Sequence, residues 1–323
     1  MPELRVVEGG FSNSRPTPES WNGAGVDTVR FRFRGDVDGH ERFARSGPHR
    51  EGPRGELFRQ EDGVRVGALR DGTLYAESRL AVLVHGSDDH SLLPISTLRD
   101  GARSAGERFG FEVDASIVAI GRLDVAAELR FEDRRDGLAF LHALSLADVP
   151  WAKVGTEGKK RENIQTVNFR STRGRTILMR AYDKGVESGL APAGELIRFE
   201  RQRRYRKRSE LSVSAASELD VAELFIGREL ESLVRVTAEV VCDEWGAVDR
   251  LNELVRWGAI KASKADALAG FLVRRGEGHK PSTWYSRWSA LRELGILVDP
   301  LARERSAVPV GEHLRELASQ LAA

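Results

Sequence analysis

The stretch that most constrains the fold runs from residue 174 to 208, GRTILMRAYDKGVESGLAPAGELIRFERQRRYRKR. Two strand-like runs face each other across a Gly/Pro/Ala turn. One ends in Tyr182, Asp183 and Lys184, and the other carries Arg198 and Glu200 ahead of a run of cations. Alternate residues of a pleated strand share a face, so Tyr182 and Lys184 are expected to project together, as are Arg198 and Glu200. A phenol, an ammonium, a guanidinium and a carboxylate then converge. Such groups are costly to desolvate, so a ligand or a reaction explains them better than packing does.

Net charge is only +1, but residues 153–208 hold sixteen Lys/Arg against six Asp/Glu, 16 − 6 = +10, a local excess suited to a polyanion or to a solvated face. The 323 residues suffice for two domains of roughly 150 each. No apolar run reaches the length of a membrane span, and the start MPELRVVEGG lacks a basic-then-apolar pattern, which predicts a cytoplasmic protein with no membrane partner. The single cysteine, Cys242, lies in the helical-looking run VTAEVVCDEW and excludes an internal disulfide or a thiolate metal cluster.

Along the chain, residues 1–25 read as a flexible lead-in rich in Gly, Ser, Pro and Asn. Alternation predicts strands over 26–35, 63–70, 73–86, 115–131, 164–170, 176–183 and 196–204, helices over 94–109 and 134–146, and a long loop over 36–55. This predicts an α+β domain over 26–211 with an antiparallel-rich sheet. From residue 212 to 323 helical periodicity dominates, with helices expected through the 220s and 230s and over 247–257, 261–275 and 282–294. The sequence shows no internal repeat. In the last of these helices Trp284, Arg287 and Trp288 lie within a turn of each other behind a basic loop, as in the recognition helix of a helix-turn-helix, a pattern that any packed helix also shares.

The chain has no GxSxG, no GxxxxGK[ST] and no HExxH, and its seven histidines are scattered. Asp124 interrupts an apolar strand and Glu200 sits between Phe199 and Arg201. On neighbouring strands the two would make an oxygen-only site for Mg²⁺ or Mn²⁺, able to polarise a phosphodiester. Alternatively, Arg122, Asp124, Arg198 and Glu200 form a salt-bridge ladder across the sheet. Tyr182 stands out among the four tyrosines because a lysine follows two residues on, where it would help lower the phenol pKa.

Four segments in register, GRLDVAAELRF, TVNFRSTRGRTILMRAYDKGVE, ELIRFERQRRY and STWYSRWSALRELGI, resemble the gene II/gene X replication initiators of filamentous phages and related plasmids, over about residues 114–297. The resemblance implies a rolling-circle initiator that nicks one strand of a double-stranded origin and remains joined to the 5′ end through a phosphotyrosine. It places the nucleophile at Tyr182 with Lys184 beside it, an Arg-x-Asp strand at Arg122 and Asp124, and an Arg-Phe-Glu strand at Arg198, Phe199 and Glu200. With the carboxylate pair, the cation run and the helix pattern read above, the expected site is a divalent metal at Asp124 and Glu200 and DNA contacts at Arg122, Arg198, Arg201, Arg203, Arg204, Arg206, Lys207, Arg208, Trp284 and Arg287. The resemblance further implies a nickase domain followed by an all-helical DNA-binding domain of helix-turn-helix type. Implied partners are origin DNA, the displaced single strand and a host helicase and polymerase, in the cytoplasm of a bacterial host. The chain departs from the pattern at Asn168, where related plasmid initiators carry a tyrosine, and in lacking a histidine metal pair. The other readings are a non-catalytic origin-binding or repressor protein and a metal-dependent hydrolytic nuclease.

Overall fold

The computed structural model describes residues 24–34, 38–86, 90–110, 114, 117–147, 149–157, 164–172, 177–189, 191–205, 211–219, 233–234, 237, 239–274, 281–299 and 307–322. Residues 1–23 of the expected lead-in lie outside them, and Ala24 and Gly25 already belong to the first strand.

The fold is α+β and is built on one large antiparallel sheet. Its strands are β1 (Ala24–Phe33), β2 (Arg50–Glu51), β3 (Leu57–Glu61), β4 (Val64–Ala68), β5 (Leu74–Arg79), β6 (Ala119–Arg130), β7 (Ala152–Glu157), β8 (Thr166–Ser171), β9 (Ile177–Asp183) and β10 (Leu196–Arg204), with β11 (Leu211–Ser212) added beside β6. The spatial order is β2-β3-β4-β5-β1-β6-β10-β9-β8-β7. Helices α1 (Gly39–Arg45), α2 (Leu80–His85), α3 (Leu98–Glu107), α4 (Arg134–Ser145), α5 (Lys184–Ser188) and α6 (Val213–Ala216) interrupt the strands. The expected loop over 36–55 is therefore partly structured: α1 and β2 fall within it.

Strand alternation sorts the sheet into two faces. On one, Val66, Ala76, Phe31, Leu123, Val125, Phe199, Ile197, Ala181, Met179 and Phe169 share a core with Leu80 and Leu98 of α2 and α3 and with Phe140 and Leu144 of α4. The other face carries arginines, carboxylates, Tyr182 and Asn168. Asp133 caps α4, its side chain accepting from the Arg135 amide at 2.8 Å, which explains why the helix begins where the sequence predicts.

The sheet repeats its own topology, although the sequence does not. β1 is followed by α1 and β2 to β5, which return in the order β1-β5-β4-β3-β2. β6 is followed by α4 and β7 to β10, in the order β6-β10-β9-β8-β7. The halves join along the antiparallel β1–β6 pair. Glu77 on β5 stands opposite Arg65 on β4, as Glu200 on β10 stands opposite Arg180 on β9. Aligned on those pairs, Gly67 matches Tyr182, Tyr75 matches Arg198, and Arg30 of β1 matches Ala126 of β6.

The carboxy-terminal region departs from the all-helical expectation. Beside α7 (Glu244–Arg256), α8 (Ala262–Val273), α9 (Pro281–Glu293) and α10 (Val310–Ala322) it contains a small sheet in which β12 (Val240–Cys242) pairs in parallel with β13 (Ile296–Val298) and antiparallel with β14 (Ala307–Val308). The run VTAEVVC thus ends in a buried strand where a helix is expected, because periodicity cannot separate the two for so short an apolar run. Leu251, Leu268, Phe271 and Leu291 form a second core. Helix α10 packs instead on the main core through Leu314 and Leu317, and its His313 ring lies 5.0 Å from Phe131.

Phe140 joins these parts, with ring centroids 5.4 Å from Phe131, 5.9 Å from Phe199 and 6.0 Å from His313. Phe140→Ala is expected to cost about 3–5 kcal/mol of unfolding free energy, because a rigid sheet and two helices cannot all close on the cavity. Urea denaturation monitored by circular dichroism measures this, and a loss under about 1 kcal/mol would contradict the packing described.

Candidate functional site

The polar face of β9, β10, β6 and β1 gathers most of the residues singled out in the sequence. Arg198 stands opposite Tyr182 on one side and Glu128 on the other, while Gln202 stands opposite Asp124. The Tyr182 hydroxyl donates to Glu200 Oε2 at 3.3 Å, and Arg180 Nη2 donates to the same oxygen at 2.7 Å. Arg180 also lies over the Tyr182 ring, 4.8 Å from its centroid. Asp124, fully buried, accepts from Arg122 at both oxygens, with Nε at 2.9 Å from Oδ1 and Nη2 on Oδ2, and from Gln202 at 3.4 Å. Asp124 and Glu200 are themselves hydrogen-bonded.

This arrangement displaces the carboxyl pKa values. Glu200 is pushed up to about 7, first by burial and then by the Asp124 and Asp27 carboxylates, against the pull of Arg180. Burial also raises Asp124, although Arg122 opposes it. Two carboxyls in contact cannot both ionise cheaply, so the pair holds a proton near neutrality and titrates as a unit. The Tyr182 phenol is pushed well up, by burial first and then by Glu200 and Asp27. The expected lowering by Lys184 is therefore overturned. The strand ends at Asp183, which caps α5 by accepting from the Val186 amide at 3.1 Å, so Lys184 opens a helix. Its Nζ is buried, donates to Glu187 at 2.6 Å and lies 5.9 Å from the Tyr182 ring centroid.

Arg198 does not present its charge to solvent. Its Nε donates to Glu128 Oε1 at 2.7 Å, Nη1 to Asp27 Oδ1 at 2.5 Å and Nη2 to the His90 carbonyl at 2.9 Å, leaving the residue 1% exposed. The expected DNA contact at Arg198 is instead the centre of a buried ion cluster. The basic run after it splits between faces: Arg201 and Arg203 stand opposite Val125 and Leu123 on the helix-covered side, whereas the exposed Arg204 stands opposite Arg122 on the polar side. Arg206, Lys207 and Arg208 lie outside the described residues. Trp284, 39% exposed, packs edge-on against Tyr285 and Trp288, and Arg287 beside it is half-buried, both remote in sequence from the sheet.

The ion-pair network on this face holds Arg122–Asp124 from the anticipated ladder, whereas Arg198 and Glu200 pair outside the anticipated four residues. It also takes in Arg180, Asp27, Glu128 and Glu77, the last accepting from Arg30 Nε at 2.8 Å and from Arg122 Nη1 at 2.7 Å. Asp27 was not legible in the sequence because it sits at a bulge between Val26 and Thr28, where alternation slips. Asn168 sits in the same row as Arg180 and Glu200, and its amide donates to Glu157 at 2.9 Å. Asp124 and Glu200 do lie on adjacent strands and one face. As arranged, however, guanidinium groups occupy their oxygens, and among the described residues no three His, Cys, Asp or Glu side chains gather to hold a metal. This donor set does not fit a divalent ion without displacing Arg122 or Arg180.

Because the folded state favours the protonated form of Glu200, its stabilising contribution is complete below the free value of 4.5 and is lost as pH rises through about 7. Glu200→Gln stays neutral throughout. Its melting temperature relative to wild type should therefore climb between acid and mildly alkaline pH, and a difference independent of pH would show that Glu200 titrates in the fold as it does in the unfolded chain. No family model matches the chain, and no curated protein is significantly similar to it.

Proposed function

We propose that the protein is a DNA strand-nicking and rejoining enzyme that initiates rolling-circle replication of a phage or plasmid, with Tyr182 as nucleophile and Glu200 as its base. The observation that carries this reading is the Tyr182 hydroxyl donating to a carboxylate that changes protonation near neutral pH. The resemblance in the four segments supports the same assignment.

In the forward step the phenolic oxygen forms a bond to the origin phosphorus as its proton passes to Glu200. The bond from phosphorus to the 3′ oxygen breaks, and that oxygen leaves as a 3′-hydroxyl after taking up a proton. The 5′-phosphate stays on Tyr182, which conserves the bond energy for rejoining. In the reverse step the 3′-hydroxyl attacks, giving up its proton to water, and the phenolate leaves and recovers the proton held on Glu200. Arg180, partly exposed and stacked on the tyrosine ring, is placed to neutralise the phosphate oxygens in the transition state. Guanidinium groups thus take the electrostatic role expected of Mg²⁺ or Mn²⁺, and dependence on added cation belongs to the test. The carboxy-terminal helices, with Trp284 and Arg287 on α9, would contribute origin recognition in helix-turn-helix fashion. One observation favours the non-catalytic reading: Tyr182 is 5% exposed, as in a scaffold.

The test is incubation with a supercoiled plasmid carrying the cognate origin, with Mg²⁺ or with chelator, followed by denaturing electrophoresis. Wild type should nick and form a covalent adduct, and Tyr182→Phe should bind the origin yet give neither. The rate should rise with pH through about 7 as Glu200 loses its proton, and Glu200→Gln should flatten that rise. Nicking by Tyr182→Phe would transfer the chemistry to water; binding without nicking by wild type would leave an origin-binding protein.

A further inference from the structure

The repeated half of the sheet, β1 to β5, places a second cationic centre on the same polar face. Arg65 occupies the position related to Arg180, and the two resemble each other in detail. Arg65 lies 3.9 Å over the Phe58 ring, as Arg180 lies over Tyr182, and in both the Nε atom is buried with no hydrogen-bond partner in the structure. The tyrosine has changed strands: Gly67 stands where the second half has Tyr182, and Tyr75, opposite Gly67, fills the space. A Cβ at Gly67 would come 2.6 Å from the Tyr75 hydroxyl, which explains the glycine. Tyr75 hydrogen-bonds Arg65, and Arg30 stacks 5.0 Å from its ring centroid.

What this half lacks is a base. Across β4, β5, β1 and β6, Arg65, Glu77, Arg30 and Arg122 stand in one row, three guanidinium groups to one carboxylate. Despite burial, Arg30 and then Arg122 hold the Glu77 carboxyl below the usual range. Arg32 adds a further cation, its guanidinium lying against the backbone of Gly121, where a side chain would collide. Among the described residues Arg65 forms no salt bridge.

We infer that the first half of the sheet is a second, non-cleaving subsite for single-stranded polynucleotide, in which Arg65, with Arg30 and Arg32 two strands away on β1, holds a backbone phosphate and Phe58 offers a ring for a base. A sheet face that sets an arginine over the half-buried Phe58 ring suits unstacked bases better than a rigid duplex. Arg65 and Arg180 are five inter-strand steps apart, about 24 Å, and their rows are offset by the four residues from Arg122 to Ala126 along β6, about 14 Å, so the span is about 28 Å, about eight nucleotides at the duplex rise. One strand can therefore occupy both halves. The choice of polymer rests on the function proposed above; the pairing of the two centres does not.

Fluorescence anisotropy of the full chain with labelled single strands of about four and about fifteen nucleotides tests this. Wild type should bind the longer strand at least about tenfold more tightly, through the second contact. Arg65→Gln and, independently, Arg32→Gln should lose most of that gain. Each should lower the slope of log affinity against log salt for the long strand by about 0.7 per lost phosphate contact. Long-strand binding by both variants equal to wild type would overturn the proposal. So would a duplex of equal length that binds as tightly as the single strand and loses as much in Arg65→Gln. If wild type forms no adduct at Tyr182 but Arg65→Gln still costs the long strand its advantage, the nicking reading fails and the subsite stands; adduct formation with no effect of Arg65→Gln gives the reverse.

Discussion

The organising constraint is that charges on the buried polar face of the large sheet have to be neutralised within that face. Strands about 4.8 Å apart bring opposing side chains into direct contact, so each arginine must find a carboxylate on a neighbouring strand or remain a partly desolvated cation. Arg198, Asp27 and Glu128 are the deepest instance. Removing any one of them would leave a buried charge uncompensated, which costs far more than a surface ion pair contributes. The cluster joins β10, β6 and the bulge in β1 and takes in the His90 carbonyl. It therefore fixes the register of the central strands and, through register, the position of Tyr182 opposite Arg198.

The same accounting separates the two halves of the sheet. Glu77 and Glu200 occupy related positions, yet one carboxyl is held low and the other is raised to about 7. The difference traces first to the deeper burial of Glu200 and then to their neighbours. Glu77 has Arg30 directly opposite, whereas Glu200 has Ala126 there and Asp124 close by. One missing guanidinium and one added carboxylate help to raise one carboxyl while its counterpart is held low. The tyrosine follows the same division, since Tyr75 donates no proton to a basic carboxylate and Tyr182 contacts one.

The carboxy-terminal region is tied to this framework from behind. Helix α10 crosses to the covered face and shares its core, while α7, α8 and α9 build their own around Leu251, Leu268, Phe271 and Leu291. Exposed Trp245, Trp257, Trp284 and Tyr285 belong to that second body, not to the sheet.

Much of this was legible in the residues alone. Alternation in 26–35, 115–131, 176–183 and 196–204 located the four central strands, and the convergence of Tyr182 with Glu200 followed from the pleat. Local chemistry settled where α4 begins, because Asp133 caps it. Lys184 was misread because Asp183 turns the chain into a helix one residue before the alternation would have placed the lysine beside the tyrosine. Arg180, Asp27 and Glu77 were missed because their roles depend on which strands are neighbours, and β1 to β6 are adjacent only through long-range pairing. The duplication was invisible for the same reason: it resides in strand order and register, which backbone hydrogen bonds preserve while side chains diverge. Sequence by itself determined the strands, their faces and the residue types available to the site. Tertiary structure alone decided which charges meet, and hence which carboxyl is left able to accept a proton, because pKa values follow from burial and neighbours that no local pattern encodes.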